Sequence, residues 1–194
     1  MIKRFCAPAL VLLTLSLTGC FFDNPLTGQP SKDINTWLLG GWEYKDETGK
    51  AFRATVLPLT GSRYTVWFHA PGKTAKQARH WQFEAWISRV GASSFLTLEC
   101  RKSGGEVPVD AFVFAHYQVI DQNHVIMRPL QLDSTPEITS YQLRTEVRRK
   151  LKDQSLLPAT GTLWTRISEV YWQPGSDAEQ PFQPLRFPLE QSER

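Results

Sequence analysis

From Leu38 to Leu130 the chain is divided into short runs of alternating character, and turn-forming residues separate them at nearly regular intervals. The clearest run is His80 to Val90, where Trp81, Phe83, Ala85 and Ile87 share one face and Gln82, Glu84 and Ser88 share the other with Trp86. A period of two puts neighbouring side chains on opposite faces of a strand. Arg63 to His69 repeats the pattern through Tyr64, Val66 and Phe68. Leu38–Tyr44, Phe52–Leu59, Ser94–Cys100, Asp110–Ile120 and His124–Leu130 complete the series. The breaks fall at Asp46-Glu47-Thr48-Gly49, Thr60-Gly61-Ser62, Pro71-Gly72, Gly91, Ser103-Gly104-Gly105 and Asp121-Gln122-Asn123, all rich in turn formers. Short, evenly spaced, hairpin-linked strands predict a mainly β chain: an antiparallel up-and-down meander that closes into a barrel.

One segment departs from that rhythm. Ser134-Thr135-Pro136-Glu137 reads as a helix start, with a capping hydroxyl and a proline in the first turn. Ile138, Tyr141, Leu143, Val147 and Leu151 then form an irregular apolar stripe at helical spacing. Arg148, Arg149, Lys150 and Lys152 crowd the last turns, where positive charge suits the helix dipole. The same basic run is also a candidate contact for anionic headgroups. Pro158 and Gly161 end the helix, and Thr162–Trp172 reads as the closing strand. Gln173 onward is rich in Pro, Gln and charge and reads as an extended tail. Within it, Pro181–Pro188 could dock on a partner as an extended peptide or fold back on the barrel.

Ahead of the strands, Lys3 and Arg4 precede an apolar stretch from Phe5 to Leu17, too short for an ordinary membrane span, which closes on Leu17-Thr18-Gly19-Cys20. This resembles the leader and lipobox of bacterial lipoproteins. The resemblance implies a signal peptide over residues 1–19, diacylglycerol on Cys20, and Cys20 as the acylated first residue of the mature chain. Phe21 in place of an aspartate after the cysteine implies, by the same resemblance, outer-membrane sorting with the domain facing the periplasm. Two or more acyl chains would hold the molecule firmly to lipid, whereas one would not. Residues 20–36 contain Pro25, Gly28 and Pro30 and few apolar residues after Leu26, and read as a lipidated cysteine with a flexible tether. At roughly 3.4 Å per residue, the fifteen residues after Cys20 would reach roughly 50 Å. Residues 37–172 form the barrel domain and 173–194 the tail.

Leu39-Gly40-Gly41-Trp42 at the first strand is similar to the G-x-W signature of lipocalin-like barrels. The resemblance implies that Gly40 allows close chain approach, that Trp42 plugs the closed end, and that an arginine near the last strand stacks on the indole. Arg166 is the candidate, through cation–π attraction. A helix placed before the final strand departs from the standard lipocalin order, and the later order resembles instead that of a group of small bacterial lipoproteins.

The chain has 194 residues and a formal net charge of +3. Lys3 and Arg4 leave with the leader, so the mature chain carries about +1, which gives no case for nucleic-acid binding. After Cys20 is acylated only Cys100 remains. One thiol forms no intramolecular disulfide, and Leu96 and Leu98 on its face make it a small buried hydrophobe. Stability must therefore come from a packed core, for which seven tryptophans and eleven phenylalanines supply large apolar area.

No G-x-S-x-G, Walker loop or H-E-x-x-H is present. His69, His80, His116 and His124 are scattered, so the reading includes no catalytic residue, no metal and no cofactor. Glu84 and Glu99 lie on strands that could be neighbours and read as solvated outer-face charge. Two readings of the strand aromatics stand side by side: a lumen lined for an apolar ligand, or a core filled by its own side chains. The expected function is a non-catalytic, lipid-anchored binder of a small apolar or amphipathic ligand, with Trp67, Trp86 and Tyr117 lining the site. The alternative is a solid-cored lipoprotein that contacts an envelope protein complex.

Overall fold

A computed structural model describes residues 21–72, 78–105 and 107–168. The segments expected to be a signal peptide, an acylated Cys20 and an extended tail lie outside those residues. Eight strands follow one another: β1 (Gly40–Lys45), β2 (Ala51–Thr60), β3 (Arg63–Ala70), β4 (Arg79–Val90), β5 (Ser93–Lys102), β6 (Phe112–Asp121), β7 (His124–Pro129) and β8 (Thr162–Ser168). Each pairs antiparallel with the next, and β1 pairs with β8 to close the barrel. Closure leaves no strand edge unpaired along most of the wall. The one α-helix among the described residues, α1 (Ser140–Lys152), lies late in the chain between β7 and β8. The architecture is the mainly β, antiparallel up-and-down barrel that the alternation predicts.

In an up-and-down barrel the turns after even-numbered strands share one end. Here that end also holds a 3-10 turn, Thr36–Leu38, and the start of β1. Gly40 has φ of 130°, a backbone that L side chains rarely adopt, so glycine is required there by conformation. Trp42 Nε1 donates to the Leu38 carbonyl at 2.9 Å, and the Arg166 Cζ stands 4.4 Å from the Trp42 ring. Arg166 also donates to Gln122 O at 2.6 Å, to Trp37 O at 2.8 Å and to Leu39 O. One guanidinium thus ties the 3-10 turn, the β6–β7 turn and β8 together over the indole, and this end is closed. The opposite end, formed by the turns after odd strands, is the mouth.

The residues fall into two apolar clusters. The first fills the barrel and includes Trp42, Tyr64, Val66, Trp81, Phe83, Leu96 and Trp164. The second lies outside the wall of β4, β5 and β6. It joins Trp86, Val90, Phe95, Phe112 and Phe114 to Leu143 and Val147 of α1 and to Phe22 and Leu26. These three strands are therefore buried on both faces, which explains why apolar residues interrupt their alternation.

Residues 21–36 do not form a flexible tether; they pack along this outer wall as a strap. Phe22 exchanges backbone hydrogen bonds with Phe112 at 3.1 and 2.8 Å and is only 1% exposed. β7 ends at Pro129, paired with Ala115, so Phe22 occupies the free edge of β6 beyond it. Farther on, Ser31 N donates to Ile87 O and Ile34 N to Gly61 O, which carries the strap to the closed end. Its prolines and glycine suit a segment that follows a curved wall without regular structure. Phe22 and Leu26 contribute apolar burial of about 2 kcal/mol each, beside the strap's hydrogen bonds to the wall.

The helix starts later than Ser134-Thr135-Pro136-Glu137 predicts. Thr139 is the cap, and its side chain and that of Gln142 form a reciprocal capping box. Pro136 and Ile138 instead offer their carbonyls to Asp23 N at 2.9 Å and Asn24 Nδ2 at 3.1 Å, so the strap competes for this segment. Tyr141 is exposed rather than part of the apolar stripe. Lys150, in the basic run, is 5% exposed and reaches Asp133 at 2.8 Å.

Candidate functional site

Inside the barrel lies a cavity of about 180 Å³. Its floor is Leu38 and Trp42. Its walls are short or aliphatic inward residues, among them Ala54, Val56, Val66, Val113, Ala115, Val125 and Met127. These positions share the inward parity of their strands, and their modest size is why space remains. Toward the mouth five rings fill the lumen: Tyr44, Phe52, Phe68, Trp81 and Trp164, with neighbouring centroids 5.6 to 6.5 Å apart. Such separations suit tilted and edge contacts between aromatic quadrupoles. The lumen is thus part solid and part empty. The cavity reaches the rim where β7 ends and β8 begins, at Pro129 and Thr162.

Few polar atoms face this space. The Tyr64 hydroxyl accepts from the Asn35 backbone N–H, and burial pushes its pKa up, so it stays neutral. Thr162 supplies a hydroxyl at the rim. The Trp81 Nε1 is buried in the aromatic layer with no hydrogen-bond partner among the described residues. A cavity of about 150 Å³ with comparable walls stays dry and takes up a benzene-sized molecule. The arrangement here suits hydrocarbon.

Of the three expected lining residues, two face away from the lumen. Trp67 lies on the outer face of β3, with Lys102 Nζ 5.8 Å from its ring. Trp86 lies outside β4 and is buried under the strap: Nε1 donates to Thr27 O at 3.2 Å, and Arg63 Cζ is 4.8 Å from the ring. It therefore contributes to no exposed aromatic patch. Tyr117 does point inward, but it packs in the barrel cluster near Asn35 and does not line the cavity. Burial raises its pKa, partly opposed by the Asn35 side chain. Strand parity already separates Trp67 from Tyr64, Val66 and Phe68. The signal that finds the site is inward parity: small residues such as Ala54, Val113 and Ala115 leave the space, and the inward rings Trp42, Tyr64, Phe68, Phe83 and Trp164 border it.

Most of the remaining charged side chains lie on the outer wall, whereas Cys100 belongs to the barrel's inner cluster. His69 and His80 face each other across β3 and β4, their Nδ1 atoms 3.2 Å apart. Burial, then His80 and Arg53, hold the His69 pKa below its ordinary value. His124 contacts Asp121 at 3.0 Å. Among the described residues no three His, Cys, Asp or Glu side chains are placed to share a metal ion. Glu84 and Glu99 are direct cross-strand partners. Arg101 bridges them, at 3.0 Å to Glu84 and 2.6 Å to Glu99, and Arg63 also pairs with Glu84. Burial raises the Glu84 carboxyl, but Arg101 and Arg63 outweigh it and hold it below the usual range. Glu99 is raised, first by burial and then by Glu84 and Asp110 against Arg101. Cys100 is fully buried, and its thiol is raised by burial and then by Asp110.

No protein-family model matches this chain, and no curated protein matches its sequence.

Proposed function

We propose that this chain is a lipid-anchored lipoprotein of the cell envelope, held in the outer membrane through Cys20 and facing the periplasm, whose barrel binds the apolar part of a small apolar or amphipathic molecule without converting it. The observation that carries the reading is the hydrocarbon-walled cavity of about 180 Å³ between the Trp42 floor and the aromatic layer. It lies below the range of about 300 to 1,000 Å³ typical of drug-sized ligands, so it suits a short alkyl segment or a small ring rather than a bulky headgroup.

Two measurements test this reading. Native mass spectrometry of the delipidated protein, with titration of a fluorescent apolar probe, should show a saturable site that short-chain fatty acids or alkanols compete for. Ala115→Trp should remove it. Probe binding that is unsaturable, or unchanged in Ala115→Trp, overturns the binding reading. Cell fractionation of Cys20→Ala should release the protein from the envelope, and retention would overturn the anchor.

A second reading, contact with an envelope protein, draws on Trp37, Leu59, Ile120 and Ile167. These large apolar side chains are half-exposed and all lie toward the closed end. Charged substitutions there should disperse a cross-linked partner and leave probe binding intact.

A further inference from the structure

The geometry points to a barrel that sits mouth-down on the bilayer, so that its lumen opens toward lipid and its ligand passes between membrane and cavity without crossing bulk water. The inference rests on the lipidation reading of Cys20. What is added comes from the strap. Phe22 is fixed in the rim by its two backbone hydrogen bonds to Phe112, the first residue of β6. Its side chain turns outward into the outer cluster, with its ring 5.3 Å from that of Phe114. By strand parity Phe21 turns the other way, and it packs against the barrel's inner cluster. Consecutive Cα atoms lie about 3.8 Å apart, so an acyl anchor on the residue before Phe21 is tied to the mouth within one peptide unit.

A tether of roughly 50 Å would leave every orientation open, whereas a docked strap keeps the mouth beside the anchor. The anchoring point also stands on the side where the cavity reaches the rim. Phe114 and Pro129 line the cavity, and Leu130 N donates to Phe114 O at 3.2 Å directly beside the Phe22–Phe112 bridge. On the β5–β6 connection at the same end, Val109 is 53% exposed, an unpartnered apolar side chain facing the expected lipid surface. Gly104 in that connection lies so close to the His80 backbone that an added Cβ would fall 2.1 Å from its carbonyl oxygen, which pins the connection against β4.

The test uses the full-length protein purified from membranes and reconstituted in phosphatidylethanolamine–phosphatidylglycerol vesicles that carry a quencher on the lipid acyl chain. Single cysteines for a fluorophore are placed at the mouth (Glu47→Cys, Val109→Cys) and at the closed end (Ala92→Cys, Asn123→Cys), with Cys100 shielded by burial. Flotation with the vesicles is scored first. The expected result is flotation of all four, with quenching at Glu47→Cys and Val109→Cys several-fold stronger than at the other two. Insertion of a Gly-Ser linker of about 20 residues after Phe21, with an r.m.s. reach of about 25 Å, should preserve flotation and abolish the contrast. Flotation with equal or reversed quenching overturns the orientation alone. Failure to float overturns both the orientation and the lipidation reading it rests on.

Discussion

Where the strap and helix cover them, β4, β5 and β6 are apolar on both faces, and the two faces are used in opposite ways. On the outer face the strap and α1 cover Trp86, Val90, Phe95, Phe112 and Phe114. They also supply partners for polar groups the cover would otherwise strand: Thr27, Ser88 and Thr97 form a chain of hydroxyl contacts at 2.7 Å, and Trp86 Nε1 reaches Thr27 O. On the inner face, Leu96, Leu98, Val113 and Ala115 border a cavity. The difference separates stability from binding. Apolar area outside the wall fixes the strap and helix, and space inside it is left for another molecule.

The largest effect should come from breaking the outer cluster. Phe22→Ala should cost about 3 kcal/mol in denaturant unfolding, because it removes a fully buried ring and the strap's chief hold. It should also raise hydrogen exchange along residues 21–36. Next, Arg166→Ala should cost about 2 kcal/mol. It abandons the cation–π contact and leaves the carbonyls of Trp37, Leu39 and Gln122 without that donor. Ala115→Phe, inside the barrel, should shift stability by no more than about 1.5 kcal/mol either way, since the ring enters existing space. It should nevertheless eliminate apolar-probe binding. A stability loss equal to that of Phe22→Ala would show that the lumen is as tightly packed as the outer wall.

The smallest effect concerns pH on the outer wall below the strap. Glu84 has a lowered folded pKa, so its contribution is present above the unfolded glutamate value, about 4.3, and is lost as pH falls through the folded one. Glu99 has a raised folded pKa, so its contribution is present below the unfolded value and is lost as pH rises through the folded one. The two slopes oppose each other. Glu99→Gln should therefore steepen the loss of stability on acidification, and Glu84→Gln should flatten it, each by about 1 kcal/mol or less between neutral pH and pH 3. Urea unfolding midpoints across that range would measure both.

The sequence by itself determined the wall. Alternation at a period of two, broken by turn formers, dictates strands and their order, and it assigns Trp81, Phe83 and Ala85 to one face and Trp86 to the other before any coordinates are known. Trp42 and Arg166 were nameable as a pair because the G-x-W resemblance implies an arginine on that indole, and cation–π attraction gives the pair a physical reason. Tertiary structure decided what covers each face. Pro25, Gly28 and Pro30 have the local chemistry of a linker, and only the apolar outer surface of β4–β6 turns their segment into a strap. The site was hidden for the same reason: a cavity is a sum of small side chains from β2, β3, β5, β6 and β7, far apart along the chain, and no local pattern records the space they leave between them.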